Sequence, residues 1–157
     1  MIVVAVQRVL NALPNYKLSS KICLKINCPR AGFEFLGSSI ILFWMRYLLR
    51  SKIHKAIVTE ANLAYIGSIT IDTDLIEKVG LWAGEKVMVV SNTSGNRLET
   101  YVIAGARESG VICMNGAAAH LIQAGEEIII MGFELASEPI EAKQMLVDKH
   151  NKFVRYL

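Results

Sequence analysis

From Lys52 onward the sequence predicts a mainly β domain, a barrel or sandwich of short strands, and three observations carry that prediction. Runs such as Lys52–Thr59 and Glu85–Ser91 are rich in β-branched residues and short. Turn-forming clusters separate the runs, Asn92-Thr93-Ser94-Gly95-Asn96 being the clearest. Helical spacing is confined to a few brief stretches. With 53% apolar and 20% charged residues over 157 positions, the chain has the material for one domain with a real core and is not a disordered polypeptide. Strand spacing alone does not choose between barrel and sandwich.

Taken in order, Lys52 to Thr59 reads as a strand with Ile53 and Ile57 on one face and Lys52, His54, Ala56 and Val58 on the other. A short turn or helical segment through Ala61-Asn62-Leu63 leads to Gly67-Ser68, and Ile69 to Ile71 resumes strand character. Asp72 or Thr73 caps a short helix carrying Leu75, Ile76 and Val79 and stopped by Gly80. Glu85–Ser91 and Arg97–Ala104 form a hairpin across the loop at 92–96. Arg107 to Gly110 turns the chain into a strand over Val111–Met114. Asn115 to His120 opens a short helical stretch ending near Gly125, and Glu126–Phe133 is a strongly apolar strand. Pro139 breaks the pattern before a polar helical segment around Ala142–Val147, and Lys152–Tyr156 adds a last edge strand.

The first 44 residues have a different texture. Their apolar start lacks a basic n-region and a small-residue cleavage pattern, so a signal peptide is not expected there. The uncharged run Phe35–Met45 is too short for the ~20 residues that span a bilayer, so no membrane partner is expected. Arg8, Lys17, Lys21, Lys25 and Arg30 stand here against Glu34 alone, and they account for the net charge of +3. The remainder is close to neutral, which argues against a nucleic-acid partner. Cys23, Cys28 and Cys113 are too few and too scattered for a disulfide framework and fit a reducing cytoplasm. Cys23 and Cys28 have no second Cys or His pair at ligand spacing, so no metal site is expected.

Chemistry enters at Tyr65-Ile66-Gly67-Ser68-Ile69-Thr70-Ile71-Asp72. An unhindered Gly67 carbonyl directly before the Ser68 hydroxyl suits attack of the chain on itself, glycine being free to adopt strained or left-handed dihedrals. The acyl group would move from nitrogen to oxygen, and elimination of the ester would leave Ser68 as an N-terminal pyruvoyl group. By itself Gly-Ser is a common turn pair. Three further motifs decide the matter: Lys52-Ile53-His54-Lys55-Ala56-Ile57-Val58-Thr59, Arg97-Leu98-Glu99-Thr100-Tyr101 and Asn115-Gly116-Ala117-Ala118-Ala119-His120. In order and spacing the four resemble the pyruvoyl-dependent aspartate 1-decarboxylases, from about Met45 to the C-terminus. Because the resemblance begins there, Met45 is the expected natural start, with 1–44 an unexplained extension and 45–157 the catalytic domain.

The resemblance implies a small double-psi β-barrel, self-cleavage between Gly67 and Ser68, and decarboxylation of L-aspartate to β-alanine for pantothenate synthesis. It also implies a homotetramer with sites between subunits, and leaves a maturation factor open as a partner. Breaking a Cα–carboxylate bond needs an electron sink that no ordinary side chain offers, and a covalent pyruvoyl group derived from Ser68 is one. Arg97 presents a planar fork matched to a carboxylate, and Lys52 adds a second positive charge. Alternation puts Arg97, Glu99 and Tyr101 on one face, and the resemblance makes Tyr101 the general acid. Thr100 and Asn115 suit the oxyanion of the cleavage step, and Gly116-Ala117-Ala118 offers backbone amides at a helix start for a second carboxylate. His54 stays outside the catalytic set. Ile66 before Gly67 and Ile69 after Ser68 depart mildly from the family pattern. A decarboxylase for another acidic amino acid and a barrel whose Gly-Ser never cleaves are the competing readings.

Overall fold

The computed structural model describes residues 45–157, and the expectations for residues 1–44, including the start at Met45, lie outside them. Nine strands and two short helices follow one another as β1 (Arg46–Ile57), β2 (Glu60–Asn62), β3 (Ser68–Asp72), α1 (Thr73–Val79), β4 (Lys86–Ser91), β5 (Arg97–Gly105), β6 (Ile112–Asn115), α2 (Ala118–Leu121), β7 (Glu127–Ala136), β8 (Lys143–Val147) and β9 (Phe153–Tyr156). They form one sheet in the order β2-β6-β3-β5-β4-β7-β1-β8-β9. Three of its neighbours are parallel, β2 with β6, β3 with β5 and β1 with β8, and parallel neighbours need crossovers rather than hairpins. The sheet is thus mixed, and the described residues are mainly β with short helices, as expected.

One face of the rolled sheet makes the core. Ile53, Ile69, Ile71, Val89, Ile112, Met114, Ile128, Ile130 and Met145 come from six strands and pack in a single cluster with Val87, Val102 and the buried face of α1. Burying such a side chain fully is worth about 1.5–3 kcal/mol, so this shared interior is a large part of what holds the strands together. Helix α1 is built as predicted: Asp72 caps it through the Asp74 N–H at 2.9 Å, and Gly80 ends it in the left-handed conformation at φ 72°. The Asp72 carboxylate also accepts from the Glu108 and Gly110 amides, which ties the 107–110 turn to the end of β3. Arg107 closes the same corner on Asp74 and Glu77, and its hydrogen bond holds the Glu77 carboxyl below its usual range.

Four local expectations are corrected. Strand β1 begins at Arg46, because Arg46–Leu49 pair with Phe133–Ala136 of β7. Its alternation breaks where the register shifts between Ile53 and Ala56, with Lys55 at φ 63°; the bulge buries both Ile53 and Ala56 and leaves Ile57 half-buried. Residues 60–62 are a strand and not helical, since they pair in parallel with Cys113–Asn115. The helical segment expected over 142–147 is strand β8: Met145 and Val147 are buried on alternate positions and Lys143–Leu146 complete the open side of β1. Local propensity there yields to an unpaired strand edge.

Candidate active site

Strand β3 sets the centre of the site. Its first residue, Ser68, is 2% exposed and lies opposite Asn115 of β6, while Ile69 beside it pairs in parallel with Val102 of β5. Ser68 is therefore held between the end of β6 and the 98–101 stretch of β5. A cavity of about 410 Å³ opens here. Gly67 and Ser68 line one wall, Leu98, Glu99, Thr100 and Tyr101 another, and Asn115, Ala117, Ala118 and Leu121 the rest.

The backbone strain expected at Gly67 sits one residue later. Among the described residues Gly67 is not in the left-handed region, whereas Ser68 has φ 139°, a value side-chain-bearing residues rarely adopt. Such a conformation costs of order 1–3 kcal/mol and is kept only where surrounding structure imposes it. Two neighbours do so. Gly116, at φ 57°, packs so closely on the cleavage segment that a Cβ there would lie 2.8 Å from the Gly67 nitrogen and 2.8 Å from the Tyr65 oxygen. Asn115 then reaches in from β6, its amide donating to Ser68 Oγ at 3.0 Å and to Thr70 Oγ1 at 2.9 Å.

The structure brings together most of the predicted site residues. Gly67, Ser68, Thr100, Tyr101, Asn115, Ala117 and Ala118 all border the one cavity. Tyr101 is 42% exposed at its mouth, and Thr100 is half-buried beside it. Gly116 contributes differently from the expectation: its N–H is spent on the Asn62 carbonyl at 2.8 Å and is not free for a carboxylate. Arg97 and Lys52 do not border the cavity. Arg97 is exposed at the start of β5, paired across to Val90, and Lys52 is on β1, three strands away from β5 in the sheet. The charged residue that does line the cavity is Glu99, engaged by Lys86 at 2.6 Å. His54 lies near Lys52; burial first, then the charges of Lys52 and Lys55, lowers its pKa.

Thr70 and Cys113 touch the site through Asn115 and were not foreseen. They stand opposite each other on β3 and β6, a pairing that only the register reveals. Among the described residues no group of His, Cys, Asp and Glu has the makings of a metal site, and no helix is long and apolar enough to cross a membrane.

The family model for aspartate decarboxylase matches residues 44–154. The chain belongs to the aspartate decarboxylase family. The aspartate 1-decarboxylase of Bacillus pumilus is 59% identical over 93 residues, covering 59% of this chain and 73% of its own. That of Neisseria meningitidis is 52% identical over 111 residues, 68% of this chain and 87% of its own, and that of Bacillus subtilis 49% over 116 residues, 71% and 91%. The crystal structure of the computationally designed msDPBB_sym2 protein covers 55% of this chain and 99% of its own at 14% identity and a TM-score of 0.34. Family membership makes this protein a decarboxylase.

Proposed function

We propose that this chain is an L-aspartate 1-decarboxylase that makes its own pyruvoyl group by cleaving itself between Gly67 and Ser68, yielding β-alanine and CO2 for pantothenate synthesis in a reducing cytoplasm. The observation that carries the reading is Ser68: buried, at φ 139°, with its hydroxyl held by Asn115 at the cavity wall. In the first step Ser68 Oγ bonds to the Gly67 carbonyl carbon and the carbon–nitrogen bond breaks, the hydroxyl proton ending on the freed nitrogen. Elimination across the Ser68 side chain then releases the Gly67 carboxylate, and water displaces the nitrogen as ammonia. The strain at Ser68 is relieved when the peptide bond opens, which favours the forward direction. Once formed, a pyruvoyl group supplies a ketone for the substrate amine and a conjugated carbonyl for the electrons of the broken bond.

The remaining residues bind and return a proton. Tyr101 is at the mouth with a phenolic O–H to give back to the substrate carbon. Ala117 and Ala118 present small side chains and backbone to one carboxylate. Aspartate carries two carboxylates, and the lining of this cavity has no cationic side chain among the described residues. We place Arg97 and Lys52 at the site of an adjoining subunit in a homotetramer. Large exposed apolar side chains, Tyr47, Ile66 and Trp82, support such subunit contacts.

Denaturing electrophoresis with mass analysis tests the reading. The wild type should give two chains divided after Gly67, and it should convert L-aspartate to β-alanine. Ser68→Ala should remain one inactive chain. A wild type that is active as a single uncleaved chain overturns the proposal.

A further inference from the structure

We infer that Cys113 and Thr70 are positioning residues for the cleavage, fixing the carboxamide of Asn115 so that its N–H faces the Ser68 hydroxyl; the inference rests on the cleavage proposed above. The antiparallel register of β3 and β6 sets Ser68 opposite Asn115 and Thr70 opposite Cys113, so four side chains meet at one end of the strand pair. Asn115 Nδ2 lies 3.0 Å from Ser68 Oγ and 2.9 Å from Thr70 Oγ1, and Cys113 Sγ donates to Asn115 Oδ1 at 3.2 Å. The Met114 carbonyl is a more distant acceptor for that thiol, at 3.8 Å.

A carboxamide is nearly symmetrical in shape and opposite in chemistry at its two ends. Hydroxyl groups donate or accept, so Ser68 and Thr70 tolerate either orientation of the amide. As found, the Cys113 thiol donates to Oδ1, and a flipped amide would set its N–H groups against a sulfur that accepts only weakly, so Cys113 favours the orientation with Oδ1 towards sulfur. Burial raises the pKa of Cys113, which keeps the donor proton in place. Thr70 then takes the second N–H of the amide and holds it in the plane of the two strands.

The consequence falls on Ser68. One lone pair of Oγ accepts from Asn115, which fixes the oxygen and leaves another for the Gly67 carbon. When Oγ adds to that carbon the centre becomes anionic; an N–H turned towards it favours this state and a carbonyl oxygen would oppose it. Both positioning side chains are on strands of the barrel, where packing restricts their rotamers, and Met114 between Cys113 and Asn115 is fully buried.

The full-length chain is made in a cell-free reaction, pulse-labelled, and its conversion into two fragments followed on denaturing gels. Cys113→Ala and Thr70→Val should each slow conversion by about three- to tenfold, the range expected for losing one neutral hydrogen bond. Cys113→Ser and Thr70→Ser, which restore a donor or acceptor of the right reach, should recover it. Thermal unfolding of each variant reports whether it has folded, and the Thr70 pair decides the question if Cys113→Ala has not. An uncleaved wild type would overturn the underlying reading. In a wild type that cleaves, slowing of every truncated variant that folds, with rescue by its serine counterpart, supports the inference, and any other pattern overturns it.

Discussion

Replacing Gly116 with alanine probes how the cleavage segment is held. The new Cβ would sit 2.8 Å from the Gly67 nitrogen, 2.8 Å from the Tyr65 oxygen and 2.9 Å from the Gly67 Cα. All three are backbone atoms, so no side chain can swing aside to relieve them. The left-handed backbone at φ 57° adds about 1–2 kcal/mol for any residue with a Cβ. Overpacking adds roughly 1–3 kcal/mol, giving about 2–5 kcal/mol in all. For a domain of this size each kcal/mol lowers the thermal midpoint by about 4 °C, so the expected loss is about 8–20 °C. Gly95→Ala is the control: it too has a left-handed backbone, at φ 77°, but its Cβ would meet nothing within 4 Å. It should lose only the backbone part, about 4–8 °C. Moving Gly67 by even a few tenths of an ångström misaligns the attack, so Gly116→Ala should also cleave at least about tenfold more slowly. Differential scanning calorimetry and a cleavage time course measure both. Equal midpoints for the two variants, with wild-type cleavage in Gly116→Ala, would refute the close-approach argument.

Tyr101→Phe should cleave normally yet lose about 100- to 10,000-fold in decarboxylation rate, the usual cost of removing a general acid; a wild-type rate of CO2 release would reassign the proton donor. Asn151 is buried and its side chain bonds the Ile57 N–H, the Ile57 carbonyl and the Gly110 carbonyl at 2.7–2.8 Å. Asn151→Ala leaves those groups unpaired and should cost about 3–5 kcal/mol in chemical denaturation. Glu126 is held below its ordinary value of 4.5 chiefly by the Ser91 hydroxyl, with the Gln123 amide and Ser94 assisting. The unfolded chain therefore takes up this proton at a higher pH than the folded one. Its contribution is complete above about pH 4.5 and fades as the pH falls through the folded value. Glu126→Gln should accordingly be less stable than wild type at pH 7, with the gap in thermal midpoint narrowing towards pH 3.

Where a residue's role depends on its immediate neighbours, the sequence was enough. Helix α1 is capped by Asp72 and stopped by Gly80 because capping is a matter of a few consecutive residues. The β4–β5 hairpin follows from its turn chemistry, and the four motifs in register are enough to mark the family. Alternation along Arg97–Tyr101 also held, with exposed and half-buried residues in turn.

What only the tertiary structure decided are the features that depend on a partner strand. Lys143–Val147 contains good helix formers, but β1 offers an unpaired edge and the core offers room for Met145 and Val147, so the segment is β8. The bulge at Lys55 breaks a period that the residues themselves keep, because β7 on the other side does not match it one for one. Thr70 and Cys113 join the site through Asn115 only because β3 and β6 run antiparallel in one particular register; a slip of one residue would turn each of them to the opposite face. Arg97 and Lys52 carry the right chemistry by type, yet neither lines the cavity at Ser68. Residue type and spacing declare which chemistry is available, whereas strand order and register determine which side chains meet.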